Sequence, residues 1–139
     1  MLEMHARPIG GLCARTLRFE NGMTLEELIL RHAIGEDVSL ARLAGAASGV
    51  MMIPIPKGGI YQRVEGVERA QAVAGIEEVI ITATEGQRLV PLPEGASYLG
   101  FIFARAASPA AVEAALRQAH SELSFQIATT LETFRPGAA

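Results

Sequence analysis

The chain has 139 residues and a mass of 14.7 kDa; half of its residues are hydrophobic and 19% are charged. That balance excludes a disordered or low-complexity chain and fits one compact domain or a portion of a larger one. Lys57 is the only lysine among twelve basic residues, the formal net charge is -3 and no basic cluster occurs, which argues against nucleic acid as a partner. A mean hydropathy of +0.27 is apolar for so small a domain. It predicts either an interior rich in small aliphatics or an apolar surface that meets a partner. Cys13 is the sole cysteine, so no disulfide forms within the chain; it reads as a buried structural thiol in a cytoplasmic protein. No stretch approaches the ~20 consecutive apolar residues of a membrane span. The opening carries an acid at Glu3 and no subsequent apolar run, unlike a signal peptide, and reads as starting inside a working segment.

Residues 1–19 combine a strand-like start with a break at Pro8, Gly10 and Gly11. Asn21-Gly22 marks a turn. Thr24 and Glu27 form a capping box, and Leu25, Leu28, Ile29 and His32 repeat at helical spacing, so residues 24–34 are predicted to form an amphipathic helix that Gly35 stops. Positions 41–49, rich in Ala and Gly, read as a linker or a close-packed crossing. Residues 50–55 and 60–64 are predicted strands around a Lys57-Gly58-Gly59 turn, able to pair as a hairpin. A short helix over 67–73 closes at Gly75. The β-branched run at 77–83 is a strand, with another short one at 87–90. Residues 97–106 form a long strand with Gly100 inside it, at a bulge or a close backbone approach. In that strand, alternation puts Phe101 and Phe103 on one face and Tyr98 on the other. Ser108 caps a helix with Pro109 at its first position, and Val112, Ala115, Leu116, Ala119 and Leu123 form its apolar stripe. Residues 125–128 add a last strand, and 131–139 a frayed tail. Short connections favour an α+β fold: a mainly antiparallel sheet with helices packed on one face.

The densest chemistry lies in Glu3-Met4-His5-Ala6-Arg7. In a strand, Glu3, His5 and Arg7 share one face and Met4 and Ala6 the other. A carboxylate is a hard ligand suited to magnesium, and a guanidinium suits phosphate or carboxylate. By themselves these residues describe a solvated strand face more readily than an active site, which three residues do not specify. His32 and His120 read as capping or packing residues, and Met51 and Met52 as core. Ser97 and Ser108 have no base partner in a recognisable motif.

The run Glu-Met-His-Ala-Arg resembles the Glu-x-Asn-x-Arg strand that ends the nucleotide site of ATP-grasp enzymes such as biotin carboxylase. The Pro8-to-Phe19 glycine turn and the Leu25-to-Gly35 helix resemble the glycine turn and helix that come after that strand in the family. The blocks beginning at Gly49 and Pro91 are similar to the small C-terminal subdomain of ATP-grasp carboxylate–amine ligases, the L-amino-acid ligase group above all. The resemblance spans positions 1–126. It implies magnesium bound through Glu3, and a second metal contact at His5, which stands where the family has asparagine. Imidazole matches transition metals better than magnesium, so a phosphate or substrate contact is the alternative for His5. Arg7 would hold phosphate or the acyl-phosphate carboxyl as the catalytic cation, and Gly10 and Gly11 would let the backbone approach ATP and substrate.

The resemblance also implies that residues 1–41 end an ATP-grasp fold, 49–127 form its small α+β subdomain and 128–139 a tail. The lysines, glycine-rich loop and adenine pocket of the family have no counterpart here. The expectation is therefore a C-terminal part of an ATP- and Mg²⁺-dependent ligase that binds neither tightly and does not turn over alone. Its partner would be the missing N-terminal portion or a split-gene product. A homo-oligomer is also expected, joined near residues 1–19, where unpaired strand groups would template pairing. The alternative is a non-enzymatic α+β binding or oligomerisation module.

Overall fold

The computed structural model describes residues 10 and 12–129. A short 3-10 helix, Cys13–Thr16, comes first, with Cys13 only half-buried rather than buried as expected, and after it α1, Leu25–Ala33. Thr24 caps α1: its side chain accepts from the Glu27 amide at 3.2 Å. Glu27 does not complete a capping box; its carboxylate instead accepts from Arg31 at 2.7 Å, one turn on.

From residue 47 the chain builds two three-stranded antiparallel sheets. The first has the order β1 (Ala47–Ile53), β5 (Gly100–Ala106), β3 (Ile76–Ile81). The second has the order β4 (Arg88–Leu89), β2 (Gly59–Glu65), β6 (Ser124–Ala128). Helix α2, Val67–Gln71, packs on β3, and α3, Pro109–Ser121, packs on β5 and β1. Ser108 caps α3 by accepting from the Ala111 amide at 3.3 Å, with Pro109 in the first turn, where a missing N–H costs nothing.

The α+β architecture agrees with the expectation, with corrections in its details. The strands flanking Lys57-Gly58-Gly59 do not pair with each other. Ile53 lies opposite Gly100, whereas Gly59 and Ile60 lie opposite Leu89 and Arg88. Alternation fixes which face a residue takes, not which strand lies beside it. Both sheets feed one core, in which Ile53, Leu99 and Ile102 meet Tyr61, Leu89 and Ile127, with Val112, Leu116 and Ala119 from α3. β1 also begins earlier than expected, at Ala47, inside the stretch read as a linker. Gly100 opens β5 rather than sitting within it, and a Cβ there would overlap the Ile80 carbonyl oxygen, so close strand approach is its role. Tyr98 precedes the strand, so parity does not place it opposite Phe101; the two rings lie 6.5 Å apart. Met51 packs against the core as expected, but Met52 is 38% exposed on the other sheet face. No helix among the described residues is long and apolar enough to cross a membrane.

Candidate functional site

Period-two alternation gives β5 two kinds of face. Ile102 and Ala104 join the helix-packed core. Phe101, Phe103 and Arg105 point to the opposite face, where the 3-10 helix lies against β1. Ser48 on β1 donates its hydroxyl to the Thr16 carbonyl at 2.9 Å and pins that helix to the sheet.

Two cation–carboxylate pairs stand side by side on this face. Arg15 Nη2 donates to Glu78 Oε2 at 2.6 Å, and the same guanidinium lies 4.9 Å from the centre of the Phe103 ring. An attractive cation–π contact thereby adds to an ion pair that exposure would leave weak. Arg105 Nε donates to Glu77 Oε1 at 2.9 Å. The Arg105 side chain is only 20% exposed, and its Nη2 is buried without a hydrogen-bond partner. Arg18 stands beside them, with no carboxylate paired to it among the described residues.

These arginines border a groove of about 540 Å³. Ala14, Leu17, Phe19, Met23, Ala44 and Ala46 supply its apolar lining, and Arg15, Arg18 and Arg105 its cations; Glu20 and Glu26 also reach it. Backbone bonds hold the walls together. The Ala44 amide donates to the Arg18 carbonyl at 2.8 Å, and the Glu20 amide donates to the Arg42 carbonyl at 3.0 Å. Leu12, just before the 3-10 helix, has φ of +59°, an uncommon conformation for a side chain of its size. Nothing in the sequence marked it.

Of the residues expected to carry the chemistry, Glu3, His5, Arg7 and Gly11 lie outside the described residues. Gly10 is described: it is exposed in a turn, and its carbonyl accepts from the Cys13 amide at 3.4 Å. His32 is exposed in the last turn of α1, and His120 lies near the end of α3. No three His, Cys, Asp or Glu side chains gather as a metal site among the described residues. The groove and its ion pairs were missed from sequence. Their partners lie 28 residues apart for Arg105 and Glu77, and 63 apart for Arg15 and Glu78.

The fold is shared with parts of larger ligases. An L-amino acid ligase from Bacillus licheniformis matches with a TM-score of 0.64 at 23% identity, over 76% of this chain and 27% of that one. A phosphoribosylglycinamide synthetase from Anaerococcus prevotii matches with a TM-score of 0.58 at 16% identity, over 73% of this chain and 26% of that one. The chain thus spans about a quarter of the length of these solved structures. No curated protein sequence matches it. The sequence profile of L-amino acid ligase C-terminal domain 2 matches residues 51–128, more than half of the chain, and the chain belongs to that family.

Proposed function

We propose that this chain is the C-terminal part of an ATP-grasp carboxylate–amine ligase, or a carboxylate–thiol ligase, working through an acyl phosphate. The family match over residues 51–128 carries the reading, and the partial overlap with the two solved ligases supports it. In this reading residues 1–41 close the ATP-grasp fold, 49–127 form the small subdomain and 128–139 a tail. Glu3 would hold Mg²⁺, with His5 as a second metal contact or a contact to phosphate or substrate, and the ion would neutralise charge on the ATP phosphates. Arg7 holds the transferred phosphate or the acyl-phosphate carboxyl in place. Gly10 and Gly11 let substrate approach the backbone. Such catalysis is mostly positioning and charge neutralisation. The setting is cytoplasmic, and the rest of the ATP-grasp body comes from elsewhere in the gene or from a split-gene partner.

Phosphate release with ATP, Mg²⁺ and mixed amino acids tests this directly. No turnover is expected from the chain alone, and activity is expected once an ATP-grasp portion encoded next to it is supplied. Robust turnover by the chain alone, abolished in Glu3→Ala, would refute the fragment reading. A second reading, a non-enzymatic homo-oligomeric module, draws on the exposed Leu30, Ile34, Leu40 and Leu43. Sedimentation as a stable dimer, next to an unrelated coding sequence, would favour it.

A further inference from the structure

We propose that Gln71 closes the outer edge of β3: its side chain holds the place of a neighbouring strand and keeps this edge from pairing with a second copy of the chain. This role does not depend on the ligase reading.

Among the described residues β3 has β5 as its only strand neighbour, so its other edge is an outer edge of the sheet. The strand and its continuation, Val79-Ile80-Ile81-Thr82, are four β-branched residues in a row. An uncharged run of this kind with an open backbone edge is a template for adding a strand from another chain. The first half of β3 is protected by other means. Glu77 and Glu78 carry charge there, and the register slip between Ile76 and Glu78 breaks the regular ladder. The stretch from Val79 has neither.

Gln71 supplies what is missing. The Val79 amide donates to Gln71 Oε1 at 2.9 Å, and Gln71 Nε2 donates to the Glu77 carbonyl at 3.2 Å. A carboxamide has the donor and acceptor of a peptide group, and both are spent here on one strand edge. One residue of a parallel neighbouring strand would make the same two contacts through its own N–H and C=O. The placement is local. Gln71 is the last residue of α2, which packs on β3; Ala70 beside it is wholly buried, and the Ile76 amide donates to the Val73 carbonyl at 3.1 Å in the turn back into the strand. Gln71 itself is exposed, so core packing does not account for it. Hydrogen bonds at an exposed site add little net stability. Their larger consequence is to occupy the backbone groups that a second strand would use.

Hydrogen exchange and sedimentation of the intact chain, with Gln71→Ala and Gln71→Lys, test the proposal. Alanine is the best helix former and the site is exposed, so the fold should persist. In dilute Gln71→Ala the Val79 amide should exchange about tenfold faster than in the unaltered chain. When concentrated, this variant should form larger species than the unaltered chain does at the same concentration, and Val79 should regain protection in them. Lysine cannot accept from the Val79 amide, so Gln71→Lys should show the same fast exchange. Its charge on the edge opposes strand pairing, so it should sediment like the unaltered chain. Val79 protection unchanged in both variants would overturn the two bonds. Unchanged sedimentation of Gln71→Ala at every concentration would overturn the guarding role, as would association in which Val79 stays unprotected. Association of Gln71→Lys to the same extent as Gln71→Ala would overturn strand pairing as its cause.

Discussion

Residues 12–43 and residues 47–128 of this chain use the same local rules and reach different ends. α1 and α3 both begin at a hydroxyl cap, and α1 also places acids in its first turn and basic residues in its last. α3 buries Val112, Ala115, Leu116 and Ala119, whereas α1 buries no residue at all. Among the described residues, six of the nine large exposed apolar side chains belong to positions 12–43, led by Leu40 at 82% and Ile34 at 73% exposure. Caps and periodicity make a helix possible; an isolated one of this length is marginal in water, and packing makes it permanent. Helix α1 therefore carries the signals of a packed element without the packing, although Ala14, Phe19 and Met23 of the same region are buried.

Truncating a core side chain should separate the two regions most sharply. Ile102→Ala, at a fully buried position, should cost about 2–5 kcal/mol of stability. Leu30→Ala, in α1, should stay within about 0.5 kcal/mol. Chemical denaturation of both variants checks this. A large loss for Leu30→Ala would mean that α1 is packed in solution, and the contrast would collapse.

The caps offer a finer test. Ser108→Ala should lower global stability by about 1 kcal/mol, because α3 is part of the cooperative core. Thr24→Ala removes the same kind of bond but should reduce only the amide protection of residues 25–33, leaving the global midpoint in place. Hydrogen exchange distinguishes the two outcomes.

Acid titration gives the smallest effect. The Ser39 amide donates to the Asp37 carboxylate at 2.9 Å and holds its pKa below the ordinary carboxylate value. A depressed folded pKa stabilises the turn above the ordinary carboxylate value, and that contribution is lost as pH falls through the lower, folded value. The Ser39 amide signal should therefore shift at a pH below the range of free aspartates, with almost no change in global melting. In Asp37→Asn that step should vanish.

Much of the second region was legible because its signals are local. The Ser108-Pro109 start, the β-branched run before Ala83 and the stripe on α3 each lie within a few residues. Strand partnership was not legible: Val50 and Ile60 look like hairpin partners across a glycine turn, yet they belong to different sheets. The groove was hidden for the same reason. Arg15, Arg18 and Arg105 are unremarkable one at a time, and only folding brings Arg15 to Glu78 and Phe103.

Between Ile76 and Glu78 the register of β3 against β5 slips, so that Ile76 faces Ala104 while Glu78 faces Phe103. A regular pleat would send neighbouring acids to opposite sides of the sheet. With the extra residue, Glu77 reaches Arg105 and Glu78 reaches Arg15 from the same edge. The two ion pairs are thereby tied to a count of residues as much as to their kinds. Deleting Glu77 would restore even pairing and strand Arg105 without its carboxylate, while a Glu77→Gln exchange would keep the spacing and remove only the charge. Insertions and deletions in this strand thus act on the groove's electrostatics as directly as substitutions of Glu77 or Glu78 themselves.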